Sequence, residues 1–402
     1  MMNNYETFTN EERRQQEATA FNAEIDQREN LPPANIIVAG ITGTGKSTLL
    51  NAMFGEEMAA TGVGKPITEN INEYNSEKLP IHIWDTMGLE IDSKRTGKSI
   101  EDIRKIIDEK SLSSDKYDRI HAIWYCINSN SNRYQGAELK FIKRLHANSV
   151  PFIIVLTQCS GAEEQVNAFE RKIREINESE GMSDIETIQV LAKDHPARGF
   201  TIPAFGLENL VDLTMKKLPD FIKNGFVAAQ KVSKIQKRVQ CEKIIADCVR
   251  NAKEGFWDKI PIANIIAANN RLRYMFGAIG GIYNTNLKPN HIADIITELE
   301  KKRDFARLLN PFDMKYNNQI IELLTSKEQD QDGEWNPLIN KNSLKDRHRV
   351  AAIVAFYGYT FIDSIEKTWD KWTEEEVEDV DKFCDLLKQT IQKILIERTG
   401  QA

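Results

Sequence analysis

The sequence has few cysteines, no excess of basic residues and no long uncharged apolar run. Its five cysteines are widely spaced and form no Cys-x-x-Cys pair, a pattern that favours a reducing compartment over a disulfide framework or a cysteine metal site. Lys and Arg number 53 against 60 Asp and Glu, a formal net charge of −7, so charge does not favour nucleic acid as a partner. The lack of a run of about eighteen apolar residues argues against a membrane-spanning helix.

The length and the patterning of the chain predict more than one domain. A chain of 402 residues is too long for one ordinary hydrophobic core. The polar start lacks the apolar segment of a secretory signal, so we expect a cytoplasmic protein. The patterns predict a helical arm over residues 1–33, an α/β domain over 34–219 and a helical domain over 220–402.

Strand and helix patterns alternate through the predicted α/β domain. Apolar, β-branched runs predict strands at 35–39, 81–85, 120–127, 150–156 and 187–191, with an edge strand at 71–74. Helical patterns lie between them, near 98–110, 135–147, 163–178 and 207–218. This alternation is typical of a mostly parallel sheet with flanking helices.

The first predicted strand is followed by a glycine-rich stretch that fits the pattern G-x-x-x-x-G-K-[ST]. Its glycines let backbone N–H groups turn toward a phosphate, and the following helix adds a partial positive charge at its N-terminus. We expect the Lys46 ammonium to reach the β- and γ-phosphates and the Ser47 hydroxyl to bind Mg²⁺. The predicted phosphate contacts are Gly40, Thr42, Gly43, Thr44, Gly45, Lys46, Ser47 and Thr48.

A second motif, Asp85-Thr86-Met87-Gly88, comes directly after the strand that ends at Trp84. The Asp85 carboxylate is suited to Mg²⁺, and the Gly88 N–H to the γ-phosphate. Thr68, in a polar loop ahead of the edge strand, is a further candidate Mg²⁺ ligand; Thr61 competes with it, and Pro66 favours Thr68 by stiffening the approach. The predicted metal ligands are thus Ser47, Thr68 and Asp85, and the groups predicted to act on the γ-phosphate are Lys46, Thr68 and Gly88.

Together these motifs resemble the translation-factor-related class of P-loop GTPases, and within it the Era-like, septin-like and immunity-related branch, of the bacterial type with a helical C-terminal domain. The resemblance covers about residues 34–219. It implies a Ras-like G domain followed by an all-α domain, with GTP or GDP and Mg²⁺ as cofactors. It also implies that Thr157 and Gln158, and later Ala192 and Lys193, lie against the nucleotide base.

Two positions depart from the family pattern. Leu89 follows the glycine of the second motif, where Ras-like members carry a glutamine that orients the attacking water. Ser160 stands where the family has an aspartate that accepts two hydrogen bonds from guanine. We therefore expect slow intrinsic hydrolysis, unless a partner or a second copy orients the water, and a weakened preference for guanine.

The C-terminal half is less informative about function. Residues 221–253 form a long basic helical pattern, which fits a solvated helix face better than a lipid or RNA surface. The apolar stretch 257–283 predicts a buried helical hairpin, with peripheral membrane insertion as the alternative, because Arg271 and Arg273 interrupt it. We expect a protein partner and self-association through the G domains.

The leading functional hypothesis is a nucleotide-controlled switch or a self-associating GTPase with slow hydrolysis. The alternative is a nucleotide-binding scaffold that hydrolyses GTP negligibly. A phosphate-loop kinase is disfavoured by the pairing of Thr68 with Asp85-Thr86-Met87-Gly88.

Overall fold

The computed structural model describes most of the chain and divides it into two compact units. The described residues are 31–55, 65–68, 71–75, 79–86, 93–111, 113–131, 133–134, 136–146, 150–197, 199–253, 261–301, 327–329, 335–337, 347–369 and 379–399. The first unit is Leu31–Gln236, and the second unit includes the chain from Lys237 onward. The predicted N-terminal arm lies outside the described residues, apart from residues 31–33.

The first unit is built on a sheet of seven strands. In chain order they are β1 (Ala34–Gly40), β2 (Lys65–Thr68), β3 (Ile71–Asn75), β4 (Ile81–Thr86), β5 (Ala122–Asn128), β6 (Phe152–Thr157) and β7 (Glu186–Gln189). A separate antiparallel pair, β8 (His195–Ala197) and β9 (Phe200–Ile202), follows β7.

Strand β1 occupies the centre of this sheet. The strand order is β2-β3-β4-β1-β5-β6-β7, and β1 pairs in parallel with β4 on one side and β5 on the other. All residues of β1 are buried, which is why this strand is a continuous apolar run rather than an alternating one. Because parallel strands share one carboxyl edge, the loops that follow β1, β4, β5 and β6 meet at the same edge of the sheet.

Helices cover the sheet in the way that the alternating pattern predicts. They are α1 (Lys46–Phe54), α2 (Ser93–Ser111), α3 (Ala137–His146), α4 (Glu163–Ser179), α5 (Leu207–Lys217) and α6 (Asp220–Ala229). An aromatic cluster ties three elements together: Phe54 stacks on Trp124 at a centroid distance of 6.2 Å, and Phe226 packs edge-on against both. The Trp124 indole N–H also donates to Thr214 Oγ1 at 3.2 Å, so the buried indole is satisfied.

The edge of the sheet differs from the sequence prediction. Residues 71–75 form β3, but β3 lies between β2 and β4 and pairs antiparallel with both. The edge strand is β2, which the polarity of Lys65–Thr68 had led us to place in a loop. Thr68 is therefore the last residue of a strand, opposite Ile71. An edge strand has a neighbouring strand on one side only, and it can therefore be short and polar. This is why the sequence of β2 does not look like that of a strand.

The long helix predicted over 221–253 is two helices, α6 and α7 (Lys234–Lys253). The side chain of Gln230 causes the break: its Nε2 donates to Val227 O at 3.2 Å and Ser233 O at 3.0 Å, and its Oε1 accepts from Ser233 N at 2.7 Å. Ser233 Oγ then accepts from Gln236 N at 3.2 Å, as a helix N-cap. Helix α6 belongs to the first unit, which extends through Gln236; the domain limits in the sequence analysis remain predictions.

The second unit consists mainly of helices. They are α8 (Pro261–Ile282), α9 (Pro289–Lys301), α10 (Arg347–Trp369) and α11 (Val380–Thr399). The predicted hairpin at 257–283 is wrong, because 261–282 form one continuous helix. In addition, β10 (Lys327–Gln329) pairs antiparallel with β11 (Trp335–Pro337), so the region that the resemblance implies is all-α also contains a short strand pair.

Close backbone packing and a charged network stabilise this second unit. At Gly358 on α10, an added Cβ would lie 2.7 Å from Ile245 Cγ1 and 3.0 Å from Met275 Sδ, so glycine is what allows these helices to approach. Arg238 donates to Glu366 Oε2 at 2.7 Å and to Asp363 Oδ1 at 3.0 Å. The helices in the described part of the chain include no candidate for a membrane span.

Glu138 on α3 is a partly buried carboxyl group whose ionisation opposes folding. Burial raises the pKa of Glu138 from 4.5 to about 7, and the Arg133 guanidinium only partly opposes the shift. A carboxyl whose pKa is higher in the folded state costs stability as pH rises through 4.5 to 7. We therefore expect Glu138→Gln to raise the free energy of unfolding by about 1–2 kcal/mol near pH 8, after allowance for solvent screening.

Denaturant unfolding at about pH 8 and at about pH 4.5 tests this prediction. The gain should fall to a few tenths of a kcal/mol at the lower pH, where the wild-type carboxyl is protonated in the folded state and about half protonated in the unfolded chain. Glu175→Gln, an exposed change on α4, serves as the control and should show no pH-dependent gain. An equal effect of Glu138→Gln at both pH values would contradict the ionisation argument.

Candidate functional site

The glycine-rich loop leaves β1 at a point where only glycine fits. Gly40 has φ +149°, and a Cβ there would lie 2.4 Å from Cys126 O on β5. Gly43 and Gly45 have φ of +80° and +85°, in the left-handed region that favours glycine, and Gly45 is the N-cap residue of α1. The loop between β1 and α1 is thus shaped by backbone conformations that other residues adopt only with strain.

Lys46 folds back over this loop. Its side chain is largely buried, and its Nζ donates to Gly40 O at 2.9 Å and to Ile41 O at 3.4 Å. Thr44 Oγ1 also donates to Ile41 O, at 2.9 Å. The ammonium group therefore sits inside the loop, at the N-terminal end of α1, where the helix has its partial positive charge.

Asp85 lies at the carboxyl end of β4, opposite Val38 on β1. Its side chain is 8% exposed, and its Oδ1 is buried without a hydrogen-bond partner in the described part of the chain. Burial raises the pKa of Asp85 from 3.8 to about 6, and the Lys46 ammonium opposes the shift. A buried carboxylate oxygen without a partner is costly, and a cation would satisfy it.

Thr157 and Gln158, at the end of β6, hold the glycine-rich loop from the other side. Thr157 Oγ1 donates to Thr44 O and to Ile127 O. Gln158 Nε2 donates to Gly43 O at 2.8 Å, although Gln158 itself has a left-handed φ of +54°. These contacts join two loops that are more than a hundred residues apart in sequence.

Three residues that the sequence analysis missed support Gln158. Asn128 Nδ2 donates to its Oε1 at 3.2 Å, while Ser129 Oγ and Asn130 Nδ2 donate to its carbonyl oxygen at 3.0 and 3.1 Å. Their signal in the sequence was the polar run 128–132 directly after the buried strand β5. Polar residues at that point lie at the same carboxyl edge as the glycine-rich loop.

The two segments predicted to meet the base lie side by side. Cys159 N donates to Val190 O at 3.3 Å, which brings the residues after β6 next to the chain that leads into Ala192 and Lys193. Lys193 is exposed, and Ser160 and Ala192 are partly exposed. The structure thus brings these predicted residues to one end of the site.

The remaining predicted residues fall into two groups. Ser47 is exposed in the first turn of α1, Thr48 is partly exposed, and Thr42 and Gly43 are exposed in the loop. For Thr68 the structure gives only the backbone, at the end of β2, while Thr61, Gly88 and Leu89 lie outside the described residues. The phosphate loop, Asp85 and the base segments are therefore described together.

A central parallel strand, a glycine loop closed by a lysine and a buried aspartate on the adjacent strand define a P-loop GTPase domain. Residues 35–158 match the family model of the 50S ribosome-binding GTPases. The match covers β1 to β6 and includes the glycine-rich loop, Asp85 and Gln158. No curated protein matched the chain.

Several solved structures resemble the chain. A probable GTP-binding protein, engB, is 17% identical with a TM-score of 0.34, and the alignment covers 46% of this chain and 97% of that one. The elongation factor SelB of Methanococcus maripaludis, in its apo form, is 15% identical with a TM-score of 0.30, over 47% of this chain and 35% of that one. A bacterial selenocysteine-specific elongation factor is 18% identical with a TM-score of 0.30, over 46% of this chain and 28% of that one. The chain thus spans about a third or less of these two elongation factors.

Proposed function

We propose that this protein binds GTP with Mg²⁺, hydrolyses it slowly, and acts as a nucleotide-controlled switch or a self-associating GTPase. In this proposal its helical region engages a partner or a membrane surface. The observation that carries the proposal is that Lys46, inside the glycine-rich loop, lies near the buried carboxylate of Asp85, whose Oδ1 has no hydrogen-bond partner among the described residues. A cation next to a phosphate-binding lysine is what an Mg²⁺–nucleotide complex requires.

The phosphate groups would take the place that the loop now fills with its own hydrogen bonds. Among the described residues, Lys46 Nζ donates to two main-chain carbonyl groups, at 2.9 and 3.4 Å. A phosphate oxygen is a stronger, charged acceptor for an ammonium group. The N–H groups of Gly43, Gly45 and the first turn of α1 would supply further donors.

The donor set fits Mg²⁺. Asp85 offers an unpartnered carboxylate oxygen, and the Ser47 hydroxyl is exposed at the start of α1. We propose Ser47, Asp85 and Thr68 as the residues that hold the ion, directly or through water, with Gly88 near the γ-phosphate. When bound, Mg²⁺ neutralises charge on the β- and γ-phosphate oxygens.

Slow hydrolysis follows from Leu89, which cannot orient a water molecule. Self-association of the G domains is the route we propose to a faster reaction, because a second copy can supply the missing group. The same observation favours the second candidate function, a scaffold that holds GTP with negligible turnover.

A protein partner fits the chain better than nucleic acid. The matched family is described as ribosome-binding, but this chain carries a net charge of −7, which does not favour RNA. All five cysteines are free and buried, in keeping with our proposal of a cytoplasmic protein, and peripheral contact with a membrane stays part of the proposal.

Multiple-turnover hydrolysis of GTP and ATP with Mg²⁺, over a range of protein concentrations, tests the proposal. We expect slow GTP turnover that rises per molecule with protein concentration, and at least about a hundredfold loss in Lys46→Ala, which removes the charge-assisted contacts to phosphate. Tight GTP binding without turnover at any concentration would select the scaffold. Preference for ATP would contradict the GTPase assignment.

A further inference from the structure

Thr157 and Gln158, at the base end of the candidate site, carry neutral side chains that already bond to other groups of the protein. Gln158 uses its amide nitrogen on Gly43 O at 2.8 Å, its amide oxygen on Asn128 Nδ2 at 3.2 Å and its carbonyl oxygen on Ser129, Asn130 and Ser160. Thr157 Oγ1 donates to main-chain carbonyl groups. These side chains shape the loop, and the hydrogen bonds they make are directed at the protein.

Ser160, two residues after Gln158, is a further side chain at the base end of the site. Its N–H donates to Gln158 O at 2.7 Å, which fixes the backbone of Ser160 beside the clamped Gln158. Its side chain is only partly buried, and its hydroxyl has no hydrogen-bond partner within the part of the chain that the structure describes. This hydroxyl is therefore held in place and is available to bond to a base, but water can still reach it.

A hydroxyl of this kind discriminates weakly between bases. It can accept a hydrogen bond from the 2-amino group of guanine, and it can turn to water when a base such as hypoxanthine has no group at that position. A site rejects an analogue strongly only when the missing group leaves a buried polar atom unpaired. A partly exposed, neutral hydroxyl avoids that penalty.

We propose that this site does not read position 2 of the purine base and therefore binds GTP and ITP alike. The inference rests on the proposed function, which places a guanine nucleotide here, and it names the wider substrate class of the same site. GTP and ITP differ only in the 2-amino group. Their affinities should therefore agree within about tenfold, the value of one neutral hydrogen bond.

Direct binding of GTP, ITP and ATP to the full chain with Mg²⁺ tests the inference. In the wild type, GTP and ITP should bind within about tenfold of each other. Ser160→Asp should raise the preference for GTP over ITP by about ten- to a hundredfold, because a carboxylate accepts from both N1–H and the 2-amino group of guanine. Ser160→Ala should leave the GTP to ITP ratio close to that of the wild type.

The matched control is Ser179→Asp, which adds the same charge at an exposed serine at the end of α4 and should not change the ratio. A wild-type preference for GTP over ITP above about thirtyfold would overturn the inference while leaving the GTPase proposal intact. Failure to bind either nucleotide would instead remove the proposed function. The wild-type ratio decides the matter even where Ser160→Asp does not fold.

Discussion

Asp85→Asn is expected to stabilise the nucleotide-free protein while nearly abolishing the Mg²⁺-dependent GTP hydrolysis that we propose for it. The wild-type carboxylate is 8% exposed and has an oxygen without a partner in the described part of the chain. A buried group in that state costs about 1–3 kcal/mol. Asparagine has nearly the same shape and carries no charge, so most of this cost should disappear.

The sign of the pH dependence follows from the same burial. Because the pKa of Asp85 is raised from 3.8 to about 6, the folded protein binds the proton more tightly than the unfolded chain does. The cost is therefore absent at low pH, grows between these two values and is complete above pH 6. The stability gain of Asp85→Asn should accordingly be largest above pH 6 and should vanish below about pH 3, where the carboxyl is protonated in both states.

The loss of hydrolysis has a separate cause. A neutral carboxamide is a far weaker Mg²⁺ partner than a carboxylate, and the ion is needed to neutralise charge on the β- and γ-phosphates. We expect turnover to fall at least about a hundredfold, a loss that corresponds to the removal of one strong charge interaction. Stability and activity should thus change in opposite directions, as is common where a site needs a strained group.

Thermal unfolding in EDTA tests the expected gain in stability, and GTP turnover in Mg²⁺ tests the expected loss of hydrolysis. Both are measured on the same preparations. Glu138→Gln is the matched control, because burial also raises the pKa of Glu138, to about 7, in a helix outside the phosphate loop. It should gain stability and keep wild-type turnover. An Asp85→Asn protein that is less stable than the wild type in EDTA would contradict the argument.

The parts of the site that are contiguous in sequence were predictable. Residues 40–48 must follow a strand and begin a helix to work as a phosphate loop, so one short motif fixes three elements. Asp85 was placed by the same logic, because β4 and β1 are parallel neighbours and share a carboxyl edge. In both cases a local pattern and a general rule of sheet topology were sufficient.

Features that depend on long-range contacts were not predictable. The role of Gln158 depends on Asn128, Ser129 and Asn130 from a different strand, and periodicity carries no information about such pairs. The break at Gln230 was missed because glutamine favours helices; here its side chain bonds to Val227 and Ser233 instead. In the first case the deciding contacts are long-range, and in the second the hydrogen bonds of one side chain outweigh its helix propensity.

Gly206→Ala is expected to have the largest effect on stability of the substitutions considered. Gly206 has φ +81° and is the N-cap residue of α5, directly after Phe205, which pairs with Leu191. An added Cβ would lie 1.9 Å from Gln189 O and 3.2 Å from Val190 Cα, both backbone atoms of the chain leaving β7. Backbone atoms cannot rotate away from the new Cβ as the end of a flexible side chain can. Either β7 or α5 must therefore shift.

Two costs therefore add in Gly206→Ala. The left-handed φ costs about 1–2 kcal/mol for a residue with a Cβ, and the steric overlap costs about 1–3 kcal/mol more. The overlap also reaches the candidate site, since Val190 O accepts from Cys159 N at 3.3 Å in the loop that carries Ser160. We expect a loss of about 2–5 kcal/mol in unfolding free energy, and we expect the molecules that still fold to bind nucleotide more weakly.

Gly181→Ala separates the two costs. Gly181 has a similar φ of +74°, but an added Cβ there would meet no atom within 4 Å. This variant should lose only about 1–2 kcal/mol and should bind nucleotide as the wild type does. Equal losses in the two variants, measured by denaturant unfolding, would mean that β7 and α5 can separate freely at Gly206. A larger loss in Gly206→Ala, with weaker GTP binding, would instead tie the rigidity of this contact to the geometry of the base loop.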